Sequence, residues 1–260
     1  PTAFTPEPVR RRVAGMKTTL LILMAVALVG CAITVEFPSK GQSKQPEIVT
    51  KNSEPTKATP EKLIADPILE KAIRKSLKKP EGKLTKADLE KVTKLDFVNA
   101  LLPELPKGLE KLTNLTELDL LNNKLTEFPK GLEKLTWLQL GGSANPPINM
   151  KGLEKLTQLR YLNLEGNQLT ELPKELEKLT KLEKLSLKDN QVTDMKELEK
   201  LNKLTYLSLY NNKLTEVPKG LEKLTNLTGL DIRSNPDLTK AQIAELQKAL
   251  PNCNIGDPKG

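Results

Sequence analysis

The feature that most constrains this chain is a leucine pattern that keeps returning at a near-constant interval. Residues 159–182 read LRYLNLEGNQLTELPKELEKLTKL, that is L-x-x-L-x-L-x-x-N-x-L-x-x-L-P-x-x-L-x-x-L, and the pattern then begins again. Near-copies start at Leu115, Leu182, Leu204 and Leu227, and an irregular one surrounds Trp137. The short Leu-x-Leu runs close at Phe97, Leu120, Leu140, Leu164, Leu187, Leu209, Ile232 and, one period on, Ile255. They recur at steps of 23, 20, 24, 23, 22, 23 and 23. Self-similarity at such a period signals stacked units. In an extended Leu-x-Leu run the leucines point to one face and the residues between them to the other. One unit cannot bury its leucine face alone, so neighbours stack until a continuous apolar core closes.

Five units also carry an asparagine at the turn after the run: Asn123, Asn167, Asn190, Asn212 and Asn235. There the side-chain amide can satisfy orphaned backbone groups of adjacent coils. Leucine ladder and asparagine together resemble the leucine-rich repeat family over residues 95–236. The resemblance implies an α/β fold: a right-handed solenoid (horseshoe) with one parallel sheet on its concave wall, which carries the binding surface. The units are not uniform. Phe128-Pro129, Leu172-Pro173 and Val217-Pro218 occupy the region where two other units have Met150 and Met195 without proline. The unit at Trp137 lacks three residues before its strand and gains about two in the GGSANPP stretch, residues 141–147. Its asparagine falls on Ser143 by strict spacing or on Asn145 by a bulged loop, and a local kink is expected there.

A solenoid end would expose core leucines, so both ends need caps. In residues 61–94, Pro67 opens a run with Ile68, Leu69, Ala72, Ile73 and Leu77 at helical spacing. Thr85-x-x-Asp88 then caps a second helix reaching Val92. This segment resembles the helical N-terminal cap of internalin-like bacterial repeat proteins. In residues 237–260, Thr239-x-x-Gln242 is a capping-box signature. Ala241, Ile243, Ala244, Leu246 and Leu250 follow as a helix ending at Pro251. Cys253 and Ile255 stand one period after Leu230 and Ile232, which predicts a last inward-facing strand with Cys253 as a small buried hydrophobe.

The N-terminal region reads differently. Residues 1–15 show neither periodicity nor a core, and Met16 is the expected start, leaving them an upstream extension or a basic leader. Residues 20–29 form an apolar run too short to span a bilayer but suited to a signal-peptide core. Leu28-Val29-Gly30-Cys31 resembles the bacterial lipobox. The resemblance implies that residues 16–31 are a lipoprotein signal, that Cys31 takes a diacylglyceryl group, and that the mature chain begins there. It further implies a lipid-anchored, extracytoplasmic protein of the bacterial cell envelope, on the outer membrane or the cell surface. An uncleaved short anchor and an ordinary secretory signal are the plainer alternatives. Residues 32–60, rich in Lys, Pro, Thr, Ser and Glu, cannot bury enough surface to fold and read as a disordered tether. Its reach as a flexible chain is roughly 30 Å.

Composition removes several function classes. The chain has no histidine, the commonest general base and metal ligand, and only two cysteines. No metal spacing, nucleophile–base pair or cofactor motif stands out. Gly141-Gly142-Ser143 lacks a P-loop lysine, and Asp96, Asp119 and Asp231 read as too dispersed, several units apart, for a paired acid and base. Asn114 and Asn226 in Asn-x-Thr belong to the repeat. An enzyme is not expected. Of the formal charge of +8, residues 1–31 hold three, with four Arg or Lys against one Glu, while the repeats carry their lysines beside glutamates in GLEKLT-like segments, which argues for solvation and against nucleic acid.

The candidate site comes from the aromatics. The single tryptophan and all three tyrosines, Trp137, Tyr161, Tyr206 and Tyr210, flank strand leucines at outward-facing positions. They would line the concave face, where Tyr and Trp serve as binding anchors, although an aromatic at that position also supports packing across the sheet. Arg160, Glu165, Lys184, Lys188 and Arg233 surround them with mixed charge, which fits a protein partner. Two functions compete: a recognition module for a protein or surface polymer, and a structural envelope scaffold without a dedicated ligand.

Overall fold

The structure, a computed structural model, describes residues 62–127, 131–142 and 148–257. The signal segment with Cys31, the tether, Phe128-Pro129 and the alternatives Ser143 and Asn145 lie outside the described residues.

In chain order the elements are α1 (Pro67–Leu77), α2 (Lys86–Glu90), β1 (Lys94–Asp96), β2 (Glu117–Asp119), β3 (Trp137–Gln139) and β4 (Tyr161–Asn163). There follow β5 (Lys184–Ser186), β6 (Tyr206–Ser208), β7 (Gly229–Asp231), α3 (Lys240–Ala249) and β8 (Asn254–Ile255). The strands form one parallel sheet whose order is the order of the chain. Each unit therefore lays its strand beside the previous one, as a solenoid requires. Leu95, Leu118, Leu138, Leu162, Leu185, Leu207 and Leu230 stand opposite one another along the sheet. All are buried. Each fully buried leucine of this ladder contributes about 1.5–3 kcal/mol. On the far side of the coil the chain returns through short 3₁₀ turns, among them Leu153–Lys155 and Leu221–Lys223, whose leucines are also buried.

The asparagines act between units. Asn190 Nδ2 donates to the carbonyls of Leu164, Leu187 and Lys188 at 2.9, 2.9 and 3.1 Å, while its Oδ1 accepts from the amides of Asn167 and Leu169. Asn235 repeats the arrangement on Leu209, Ile232, Arg233, Asn212 and Leu214. A second tier went unread in the sequence. Thr116, Thr136, Thr205 and Thr228 donate their hydroxyls to carbonyls of the preceding unit. Asn114 and Asn226 do the same with their amides, to Glu90 and Asn202.

Both capping boxes form as expected, Thr85 with Asp88 and Thr239 with Gln242. Asp66, which the sequence reading passed over, caps α1 by accepting from the amides of Ile68 and Leu69. Three expectations need correction. Ile68 is 46% exposed, because α1 buries Leu69, Ala72 and Ile73 and packs Leu77 against the core instead. Helix α2 ends at Glu90, short of Val92. At the C-terminus Ile255 pairs with Leu230 rather than standing opposite Ile232, a displacement of two residues. There a ten-residue helix replaces the usual 3₁₀ turn, so the return path is longer. Cys253 is nonetheless buried, and burial pushes its thiol up. At the unit expected to kink, β3 pairs in full register with β2 and β4, so the sheet is unbroken there.

Candidate functional site

Because register is kept from strand to strand, the sheet's open face carries side chains in columns. The residue before each middle leucine gives Lys94, Glu117, Trp137, Tyr161, Lys184, Tyr206 and Gly229. The residue after it gives Asp96, Asp119, Gln139, Asn163, Ser186, Ser208 and Asp231. A third row, just past the strands, holds Glu165, Lys188, Tyr210 and Arg233. There the carbonyls of Glu165, Lys188, Tyr210 and Arg233 accept amides from the unit before.

The columns bring the aromatics into contact. Trp137 and Tyr161 are register partners, and their rings stack with centroids 5.0 Å apart and planes 8° from parallel. That separation is close to the spacing of neighbouring strands, so the sheet itself imposes the stack. Lys94 reaches over Trp137 with its ammonium 5.6 Å from the ring centre. Burial pushes the Tyr161 phenol up, with Asp119 adding to the effect. Two strands along the same column, Tyr206 is 40% exposed. Its ring lies over Gly229, where a Cβ would come within 3.0 Å of Tyr206 Cδ2, so the absent side chain gives the ring its seat.

In the third row Tyr210 lies between two cations, Lys188 at 5.3 Å and Arg233 at 5.9 Å from its ring centre. Each cation is also held by a carboxylate. Lys188 donates to Glu165 at 3.0 Å, a bond that holds its ammonium above the usual range. Arg233 makes a two-pronged contact with Asp231, both bonds 2.9 Å, which holds that carboxyl below the usual range. Such cation–ring contacts are worth about 0.5–1 kcal/mol when exposed. Of the nine residues nominated from sequence, the structure thus joins Trp137 with Tyr161, and Glu165, Lys188, Tyr210 and Arg233 in a second group. Lys184 is exposed between Tyr161 and Tyr206 in its column. Arg160 falls outside the columns, at the margin, where it pairs with Glu183 at 2.7 Å.

Sequence reasoning missed Lys94 and misjudged the aspartates. Asp96 and Asp119 are register partners on adjacent strands, not dispersed; only Asp231 is remote. Lys75, at 2.8 Å, and the amide of Val98 hold Asp96 below the usual carboxylate range. Burial, reinforced by the nearby Asp96, pushes Asp119 above that range, although its carboxylate accepts the Leu121 amide. Column arithmetic applied one unit at a time would have placed the two side by side. Among the described residues no group of three or more Asp, Glu, Cys or His is placed to hold a metal ion.

Comparison with known proteins bears on the repeats. Residues 138–250 match a family model described as a leucine-rich repeat region, and residues 114–135 match the leucine-rich repeat model. Internalin C2 of Listeria monocytogenes has a similar structure, with a TM-score of 0.61 and 29% identity, over 74% of this chain and 83% of that one. A second Listeria monocytogenes internalin, InlF, gives 0.61 and 27%, over 75% of this chain and 56% of its own. A leucine-rich repeat protein of Leptospira interrogans gives 0.51 and 37%, over 60% of this chain and 40% of its own. No curated protein sequence matches. Among the described residues no helix is long and apolar enough to cross a membrane.

Proposed function

From a leucine-rich repeat protein as premise, we propose that this chain is a lipid-anchored, extracytoplasmic module that binds a protein ligand on the open face of its sheet. The observation that carries the reading is the stripe of rings and paired charges from Lys94 to Arg233. It sets Trp137 on Tyr161 and Tyr210 between Lys188 and Arg233, and leaves Tyr206 exposed. Rigid aromatics carry much of the binding energy at protein interfaces. The alternation of Lys188, Glu165, Arg233 and Asp231 suits a partner of mixed charge better than a polyanion. A scaffold without a ligand remains the second reading, because the Trp137–Tyr161 stack would also stiffen a sheet that binds nothing.

Localisation in this proposal rests on Cys31. Acylation there and on the freed amine would anchor the chain stably, since two chains hold where one is marginal. Cys31→Ser should release the protein from membranes or block its maturation, read by fractionation and by the mass of the mature N-terminus. Unchanged fractionation without acyl mass removes the anchor from the proposal.

The binding face is tested by affinity capture from envelope and host extracts in parallel, followed by titration of whatever is retained. Tyr206→Ala and Tyr210→Ala should each weaken binding by more than about 1 kcal/mol, with the melting temperature near that of the parent for Tyr206→Ala and lowered for Tyr210→Ala, which also loses its two cation contacts. Capture that survives both substitutions favours the scaffold. If Tyr206→Ala destabilises the fold instead, its ring is structural and the face is not the site.

A further inference from the structure

Charge is distributed unevenly between the two ends of the solenoid. Residues 62–91 hold nine lysine or arginine side chains against five carboxylates, whereas residues 237–257, at the opposite end, hold two against three. Helix α1 divides the job between two faces. Leu69, Ala72 and Ile73 turn into the core. Ile68, Lys71 and Lys75 are exposed, and by helical spacing they share the opposite face, while Lys78, also exposed, follows the helix as its left-handed C-cap. Lys75 is held by Asp96, and Arg74 by Glu70 at 2.7 Å. No carboxylate among the described residues lies within ion-pair distance of Lys71 or Lys78. Between Pro67 and Pro80 lies a shallow recess of about 560 Å³, walled by four cations, Lys71, Arg74, Lys75 and Lys78, and one carboxylate, Glu70, which Arg74 and Lys62 neutralise. The start of the described chain is fastened beside it, Lys62 to Glu70 and the Leu63 carbonyl to Lys111 Nζ at 2.9 Å. By chain order, the proposed anchor at Cys31 precedes this end of the solenoid.

We infer that the outer face of the cap docks on the anionic phosphate headgroups of a lipid bilayer, with Lys71, Arg74, Lys75 and Lys78 around the recess and Ile68 at the apolar boundary. A basic amphipathic helix gains affinity from headgroup charge and from its apolar tip together. Such docking would orient the solenoid with its first unit toward the membrane. The inference rests on the proposed anchor only for which end of the chain meets the membrane, and a test on protein without acyl chains keeps the two apart.

The buried side chains of the described core run from Ile64 to Cys253, with Leu63 and Ile255 packed against them, so residues 61–260 retain all of it. That protein, checked for cooperative melting, is sedimented with phosphatidylcholine vesicles with and without phosphatidylglycerol. It should bind only the phosphatidylglycerol vesicles, and an ionic strength of about 1 M should release it, since the screening length there is about 3 Å. Lys71→Gln, Lys75→Gln and Lys78→Gln together should lower binding by roughly a hundredfold, at about fivefold per lysine. Lys178→Gln, Lys200→Gln and Lys203→Gln, which change net charge equally, should lower it far less. Equal binding to both vesicles, equal losses in the two triple variants, or retention by soluble polyphosphate without vesicle binding would each overturn the assignment.

Discussion

The unit carrying β5 and the unit carrying β4 share one consensus but differ in what lies before them. Asn190 follows a regular unit and makes five hydrogen bonds, three given by its amide nitrogen and two accepted by its oxygen. Asn167 follows the unit that departs from the consensus. Its nitrogen reaches the carbonyls of Leu140 and Glu165 at 3.2 and 3.3 Å, while its buried oxygen has no partner among the described residues. Yet on the strand side the two are alike: Leu138, Leu162 and Leu185 are equally buried and in register. Sheet pairing and turn ladder are thus separate devices. A strand needs only its neighbour's main chain and a leucine beneath it. An asparagine needs a preceding turn of the right length to present amide groups to it.

The comparison can be broken at its strongest point first. Leu138→Ala and Leu162→Ala should each cost about 2–5 kcal/mol by denaturant melting, and by similar amounts, because both sites are fully buried in the same sheet. A much smaller loss at Leu138 would show the sheet to be slack beside the irregular loop. The asparagines should then diverge. Asn190→Ala should cost about 1–3 kcal/mol for the groups left unsatisfied, and Asn167→Ala distinctly less, since its oxygen has no partner among the described residues. Equal costs would mean that the ladder at Asn167 is complete in solution.

The smallest effect probes the face rather than the turn. Asp119 has its folded pKa raised, so its ionised form disfavours the folded state. Asp119→Asn should therefore raise the melting temperature slightly at neutral pH, with the gain disappearing as pH falls below the carboxylate range. Asparagine already does the same work in the next column member but one, where Asn163 Oδ1 accepts the Glu165 amide at 2.8 Å. A substitution that lowers stability at neutral pH would show that the Asp119 charge is compensated.

Much of this was legible in the chain because periodic burial leaves a periodic trace. Leu118, Leu162 and Leu207 announce the core, Asn190 and Asn235 the turns, and Thr85 and Thr239 the helix starts. What was hidden depended on distance between units rather than on pattern within one. The neighbouring of Asp96 and Asp119, the reach of Lys94 over Trp137, and the role of Gly229 as the seat for Tyr206 all join side chains one or two repeats apart. The register of Ile255 was misread because the last return runs through α3, whose length the repeat does not govern.

One consequence of the unbroken register concerns how such a chain can change. Among paired positions on the sheet, the path from Leu118 to Leu138 is the shortest and that from Leu230 to Ile255 the longest. The sheet does not record the difference, because register is kept whatever the length of chain between strands. Insertions and deletions in the return segments would thus be silent with respect to the display, which works as a ruler graduated roughly every 4.7–4.9 Å. Recognition could be rewritten one graduation at a time, by substitution in a column, while the length of each unit drifts independently.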